Sequence, residues 1–433
     1  MNATAPSIHT LTNGVTVLTL RRGSVPLVSL RLGLCAGSAA APPRRSGLAE
    51  LTAQLLRRGS RRRGLRAIDV ALEKLGADLG LGVDDDVTRL GLTVPAARLP
   101  AALDLLLELA TEPSFPAREL EALRARTLAT IRAGLDDAPG VAERAIHREI
   151  FGSHPYALPI DGWSREVARL ARPQVVEFHR ARYRAAGACL VAAGALPEGI
   201  EVRLARAGAA LAPGPPPFEA PTVPPLSGRR VLVVDKPDAT QATLRIGGLG
   251  CSVRDPELVP CLLGNTVLGG GFSSRLVDEV RVNRGLAYGI SSRFHPSLAG
   301  GLFVIRSATR VEEARSLVEV SLGELERLRE EGPREAELTQ AAAYMRGSFE
   351  LGNETGEQVA ATLTGAFLQG LGTDWLEAFP RLLDEATRAA VHAALQRHLP
   401  RSLRVVAVGP AAKLERSLRK LGPVEVVSLA ALA

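Results

Sequence analysis

Apolar residues along the chain fall into short strand-like runs separated by longer stretches with a helical period. Strand-like runs stand at 15–19 and 27–34, and again at 231–234 and 242–248. Between the first pair and the middle of the chain, the spacing predicts helices at about 46–57 and 65–75, strands at about 77–82 and 87–94, then longer helices at about 97–110 and 116–133. Leu103, Leu106, Leu107 and Ala110 recur at the interval that lines one helical face, so the helix at 97–110 is expected to face a core. Late in each half comes an Ala/Val-rich run that closes on glycine: Leu190-Val-Ala-Ala-Gly194 and Val405-Val-Ala-Val-Gly409.

These runs repeat. Arg31-Leu-Gly-Leu matches Arg245-Ile-Gly-Gly at an offset of 214 (245 − 31), and the two glycine-closed runs match at an offset of 215 (409 − 194). Near-equal offsets at opposite ends of a half indicate a duplication. Ala212-Pro-Gly-Pro-Pro-Pro-Phe, followed by Pro221, Pro224 and Pro225, reads as a semi-rigid linker between the copies. The expected fold is α+β: two homologous sheet-and-helix halves, residues 1–211 and 227–433, joined by a Pro-rich linker at 212–226.

Composition narrows the class. Of 433 residues, 46% are hydrophobic and 23% charged, as in globular proteins and unlike disordered ones. No apolar run nears the roughly 18 residues that span a bilayer, and residues 1–15 show no basic segment followed by an apolar stretch. The expected location is the cytoplasm, with no membrane partner. Net charge is +7, carried by arginine; the lysines are only Lys74, Lys236, Lys413 and Lys420. The run Arg57-Arg58-Gly-Ser-Arg61-Arg62-Arg63 lacks interleaved aromatics for base stacking, so it reads as a solvated loop and no nucleic-acid partner is expected. Cys35, Cys189, Cys251 and Cys261 form no CxxC pair. His9, His147, His154, His179, His295, His392 and His398 form no HxxEH or HxxxH pair.

The helix at 46–57 opens Gly47-Leu48-Ala49-Glu50-Leu51-Thr52-Ala53-Gln54, followed by Arg58-Gly59-Ser60. Here the chain resembles the M16 family of zinc metallopeptidases, which includes mitochondrial processing peptidase and pitrilysin. In that family the helix reads G-x-A-H-x-x-E-H before a G-[TS] loop. Two imidazoles a turn apart bind zinc, and the glutamate takes a proton from the attacking water. The resemblance places the histidines on Glu50 and Gln54, the base on Ala53 and the third ligand, a glutamate, on Thr130. All four are replaced, so this chain is expected to hold no catalytic zinc and to be inactive alone. His154, in Phe151-Gly-Ser-His-Pro-Tyr156, matches a family loop and is expected to be structural.

A second string, Leu268-Gly269-Gly270-Gly271-Phe272-Ser273-Ser274-Arg275-Leu276-Val277-Asp278-Glu279-Val280-Arg281, running on through Arg284-Gly285-Leu286-Ala287-Tyr288, closely resembles the motif of the family's C-terminal domain. The resemblance assigns Arg281 and Tyr288 as donors to substrate backbone or oxyanion. The glycine-rich loop Gly269, Gly270 and Gly271, lacking side chains, would let a peptide pass closely. The resemblance also implies an LuxS/MPP-like fold and a division of labour: an HxxEH-bearing M16 paralogue supplies the zinc, and this chain supplies the Arg/Tyr pair to an extended peptide in a heterodimer. The precursor peptide of pyrroloquinoline quinone is one candidate substrate. The alternatives are a structural scaffold, as in the core subunits of respiratory complexes, and a peptide-binding module without a role in cleavage.

Overall fold

The computed structural model describes residues 5–23 and 25–433; the reading of the N-terminus therefore falls partly outside the described residues. The first six strands are β1 (Ser7–Thr10), β2 (Thr16–Arg21), β3 (Leu27–Leu34), β4 (Gly80–Val83), β5 (Thr88–Pro95) and β6 (Cys189–Gly194). They form one sheet in the order β1-β2-β6-β3-β5-β4. The second six are β7 (Arg229–Asp235), β8 (Gln241–Gly250), β9 (Ile290–His295), β10 (Gly301–Arg310), β11 (Leu403–Gly409) and β12 (Val424–Ser428). They form a second sheet in the order β12-β7-β11-β8-β10-β9.

The α+β duplication is thus present in the strand order, and the registers make it quantitative. Gly33 pairs with Cys189 and Arg31 with Val191 in the first sheet. Gly247 pairs with Arg404 and Arg245 with Val406 in the second. These are the same positions shifted by 214 on one strand and 215 on the other. The edge strands break the symmetry: β1 runs antiparallel to β2, whereas β12 runs parallel to β7. Neither edge was expected from the sequence. Every residue of β1 is exposed and β12 is half-exposed, so neither carries an apolar run. Among the described residues, no helix is long and apolar enough to cross a membrane.

The chain divides into two compact units that do not follow the duplication boundary. One comprises the residues up to Thr130 with Pro159–Ala220 and Phe349–Ala378; the other comprises Ile131–Leu158, Pro221–Ser348 and Phe379–Ala433. Each sheet therefore receives a helix encoded in the other half. Helix Gly356–Leu368 packs on β3 and β6, and helix Ala138–Phe151 packs on β8 and β11. Nothing in the sequence marks this exchange, because each covering helix is distant in the chain from the sheet it covers. In the first unit Val359, Ala360, Leu363 and Leu368 close over Leu18, Leu20, Val191 and Ala193, all buried. The alternate residues Val17, Leu190 and Ala192 are buried as well, so both faces of this sheet are dry.

The matched Arg-x-Gly tripeptides are where each borrowed helix docks. A Cβ on Gly33 would lie 2.6 Å from Leu368 Cδ1 and 2.9 Å from Thr364 Cγ2. One on Gly247 would meet Phe303 O at 2.5 Å and Ile150 Cδ1, on the other exchanged helix, at 3.3 Å. Two residues earlier, Arg31 Nη2 donates to Glu357 Oε1 at 2.8 Å, and Arg245 Nε donates to Glu143 Oε2 at 3.0 Å. Glu143 and Glu357 are themselves 214 positions apart (357 − 143), so the pair as well as the helix is duplicated. The second unit adds an arginine: Arg306, opposite Arg245 on β10, bonds both Glu143 oxygens at 2.6 and 3.0 Å. In the first unit that place is Gly91, across which the Arg31 side chain lies. Burial alone would raise the Glu143 carboxyl; the bonds from His147, Arg306 and Arg245 overcome this and hold it far below the ordinary value.

Two outcomes are expected. Residues 5–220 produced alone lack the helix that covers Leu18, Leu20, Val191 and Ala193. They should give no cooperative melt by near-ultraviolet circular dichroism, and co-expression with 221–433 should restore one. Glu143→Ala strands the Arg245 side chain, which is only 8% exposed, and should cost about 3 kcal/mol in denaturant unfolding. Glu357→Ala, removing a carboxylate that is 57% exposed, should cost under about 1 kcal/mol. Because the folded carboxyl of Glu143 titrates below the unfolded one, its contribution is complete at neutral pH. It drains away as pH falls below about 4.5, so the Glu143→Ala deficit should shrink in acid.

Candidate functional site

Helix Leu48–Leu56 begins at Gly47, whose left-handed backbone (φ 81°) and close approach to Asp161 O require glycine. Glu50 in the first turn and Gln54 a turn later share a face, and Gln54 Nε2 donates to Glu50 Oε1 at 2.9 Å. Burial raises the Glu50 carboxyl, Gln54 counteracts this in part, and the nearby Asp161 adds to the rise. Ala53 is fully buried. Thr130 stands exposed on helix Ala117–Gly134.

The family's zinc does not fit this donor set. It comprises one carboxylate already holding an amide, the amide itself, and an exposed hydroxyl on another helix. Tetrahedral zinc at a peptidase centre takes imidazole, thiolate or carboxylate ligands. A methyl group stands where a base would be. The helix keeps its shape without them, because Leu48, Leu51, Leu55 and Leu56 bury its inner face.

The Arg/Tyr string lies in the second unit. After helix Leu258–Asn265 the backbone widens into two π-helical segments, Thr266–Gly270 and Val277–Asn283, both packed on β9. Such widened turns are rare and recur at functional sites. Gly269 and Gly270 lie within the first π-helical segment, and Gly271 follows it in extended backbone. Gly269 is buried in the π-helical turn, where a Cβ would lie 2.6 Å from Ser292 Oγ. It is a packing glycine, whereas Gly270 and Gly271 are accessible. Arg275 is likewise structural: its side chain is only 11% exposed and grips Glu337 through bonds of 2.9 and 2.7 Å.

Arg281 and Tyr288 have a different character. The guanidinium carbon of Arg281 lies 5.0 Å from the centre of the Tyr288 ring, and Tyr288 is 88% exposed. The stack adds about 0.5–1 kcal/mol at an exposed site. Beneath it the backbone is fixed. Val280 and Leu276 are fully buried, Leu286 N donates to Val280 O at 2.9 Å, and Gly285 takes the left-handed turn (φ 60°). From β10, Thr309 Oγ1 reaches Leu286 O at 2.6 Å and Ser307 Oγ reaches Gly289 O at 2.9 Å. The pair therefore projects a guanidinium and a phenol from a rigid base, two donors suited to a carbonyl or an oxyanion.

Most histidines serve the fold. His154 is buried, bonds Pro221 O at 2.7 Å and accepts from Tyr156 N at 3.1 Å. His179 bonds Ala110 O at 2.8 Å, and burial, helped by Arg184, pushes it down to about 4. His398 is the exception: with Asp255 and Glu257 it forms a three-residue group whose ligand atoms lie within 4.8 Å of one another. Sequence spacing gave no hint of this group, which joins residues near 255 to position 398. Glu257 also holds Arg397, with Nε at 2.7 Å, so the group is an ion-pair cluster as it stands. The arginine run pairs internally: Arg57 with Asp69, Arg58 with Glu119, Arg62 with Glu112 and Arg63 with Glu108.

Two interleaved α+β units, one with a degenerate metal helix and one presenting an Arg/Tyr pair, define a metallopeptidase-like protein. Two family models match the chain: "Insulinase (Peptidase family M16)" over residues 16–162 and "Peptidase M16 inactive domain" over residues 169–345. The chain belongs to the M16 peptidase family. An uncharacterized zinc protease of Mycobacterium tuberculosis is 27% identical over 94% of this chain and 94% of its own length. A Helicobacter pylori protein described as a non-peptidase homolog is 24% identical over 80% of each. The crystal structure of a peptidase M16 inactive domain from Pseudomonas fluorescens superposes with a TM-score of 0.89 at 29% identity, covering 94% of this chain and 98% of that one.

Metal analysis checks the degenerate site. After dialysis the purified chain should carry well under one equivalent of zinc, and Glu50→Ala should leave that content unchanged. Stoichiometric zinc lost on Glu50→Ala would restore a metal site to this helix.

Proposed function

We propose that this chain is the non-catalytic, substrate-binding subunit of a heterodimeric M16 zinc metalloendopeptidase working in the cytoplasm. The observation that carries the reading is the exposed, rigidly based Arg281–Tyr288 pair in a chain whose own metal helix offers Glu50, Ala53 and Gln54. The partner would be an HxxEH-bearing M16 paralogue that brings the zinc. Arg281 and Tyr288 then donate to the backbone of an extended peptide, or to the oxyanion that forms at the scissile carbonyl. Main-chain recognition of an extended segment gives affinity without strict sequence demands, which suits an unfolded peptide. The precursor of pyrroloquinoline quinone is one peptide of this kind.

The test mixes this chain with such a paralogue and measures peptide cleavage and co-elution on gel filtration. The mixture should cleave faster than the paralogue alone. Arg281→Ala and Tyr288→Phe should each lower the rate by about 10²-fold, with co-elution intact. No complex and no gain in rate would reject the reading. A complex whose rate ignores both substitutions would instead identify a scaffold.

A further inference from the structure

The stretch that leads into the π-helical segment bearing Arg281 walls a cavity. Its volume is about 120 Å³, and it is lined by Thr266, Val267, Gly271, Phe272 and Ser273 together with Glu337, Gln340, Ala341 and Tyr344. Val267 and Ala341 are buried. Phe272 is 86% exposed and Tyr344 49% exposed, so two aromatic rings stand in solvent at its edge. Two apolar rings exposed side by side at the rim of one cavity form a patch rather than scattered single residues.

We propose that this cavity is a subsite for one apolar side chain of the peptide whose backbone Arg281 and Tyr288 hold; the inference rests on the function proposed above. The chemistry of the walls selects the occupant. Each hydrogen-bonding lining side chain apart from Tyr344 is already engaged within the protein. Thr266 Oγ1 donates to Leu262 O at 3.0 Å. Ser273 Oγ accepts from Gln340 Nε2 at 2.8 Å. Glu337 is held by Arg275 and by both the backbone and the side chain of Arg334. Burial would raise the Glu337 carboxyl, but these bonds hold it down to about 2, so its charge is matched and does not call for a basic ligand. A lysine or serine side chain entering here loses water and finds few free partners, whereas a leucine or phenylalanine gains contact.

Gly271 supports the same occupant. Its backbone is extended (φ −115°, ψ 162°), and a Cβ there would meet nothing nearer than Thr266 O at 3.6 Å, an ordinary contact. The fold therefore does not demand glycine at this position, in contrast to Gly269. The missing side chain leaves space in the cavity wall. This also gives a clean variant, since Gly271→Val narrows the cavity without straining the backbone.

The experiment uses short fluorescein-labelled Gly/Ser peptides with a single central Leu, Phe or Lys. Binding to the full chain is read by anisotropy, and cleavage by the mixed complex is read as kcat/KM. The Leu and Phe peptides should be preferred over the Lys peptide by about tenfold or more. Gly271→Val should erase that preference with Tm unchanged, whereas Arg281→Ala should weaken all three peptides alike. Equal recognition of Leu and Lys, or a preference that survives Gly271→Val, overturns the subsite and leaves the proposed function standing. Loss of paralogue association in Gly271→Val with the preference intact overturns it in favour of a subunit contact. No recognition of any peptide by either form overturns both.

Discussion

The structure depends on a reciprocal loan of helices. Each sheet has an apolar face that its own half leaves uncovered, and the covering helix comes from the other half. The docking site is the same in both units: a glycine that lets the helix approach, and two residues before it an arginine that reaches a glutamate on the helix. Burial of leucine and valine against the borrowed helix supplies most of the driving force, by about 25 cal/mol per Å². The Arg–Glu pair fixes register instead, because a helix slid by one residue would leave a buried guanidinium without its carboxylate. Each half lacks the helix that packs on its own sheet, and the second unit takes in residues 131–158 from far earlier in the chain.

That dependence bears on how the helix at 48–56 keeps its shape with Glu50, Ala53 and Gln54 at the positions of the family's zinc motif. The helix at 48–56 is held by its leucines, and its metal-facing positions contribute little to packing beyond the Ala53 methyl. Glu50 and Gln54 bond each other, which offsets part of the cost of half-burying that carboxylate. Catalytic ligands are separable from the scaffold here. The Arg/Tyr frame is built the other way: Leu276 and Val280 are core residues, and Arg275 is a buried ion-pair partner.

The duplication was legible because strand registers preserve sequence offsets, and Arg31-Leu-Gly-Leu against Arg245-Ile-Gly-Gly marks them. What those residues are for was not legible. Glu143 and Glu357 also keep the offset, but each pairs across the duplication boundary, and a long-range exchange leaves no local pattern. The edge strands β1 and β12 were missed because exposed strands lack apolar periodicity. Within the site, Arg281 and Tyr288 do meet, whereas the three glycines divide into one that the fold requires and two that it leaves accessible. The cluster of Asp255, Glu257 and His398 and the cavity beside Phe272 are tertiary features with no linear signature.

Sorting the string 268–288 by what each side chain touches separates folding from recognition. Leu268, Gly269, Ser274, Leu276 and Val280 are buried, and Arg275 is sequestered against Glu337. These residues account for the backbone path. Phe272, Val282 and Tyr288 are 86%, 69% and 88% exposed, and Arg281 stacks on the last of them. Folding gains little from apolar rings in solvent, and a surface cation–π contact is too small to require them. A rigid backbone displaying side chains that do not contribute to its rigidity is the arrangement expected of a surface that meets something else. The buried members of the string hold that surface in place, and the exposed ones are what it presents to solvent.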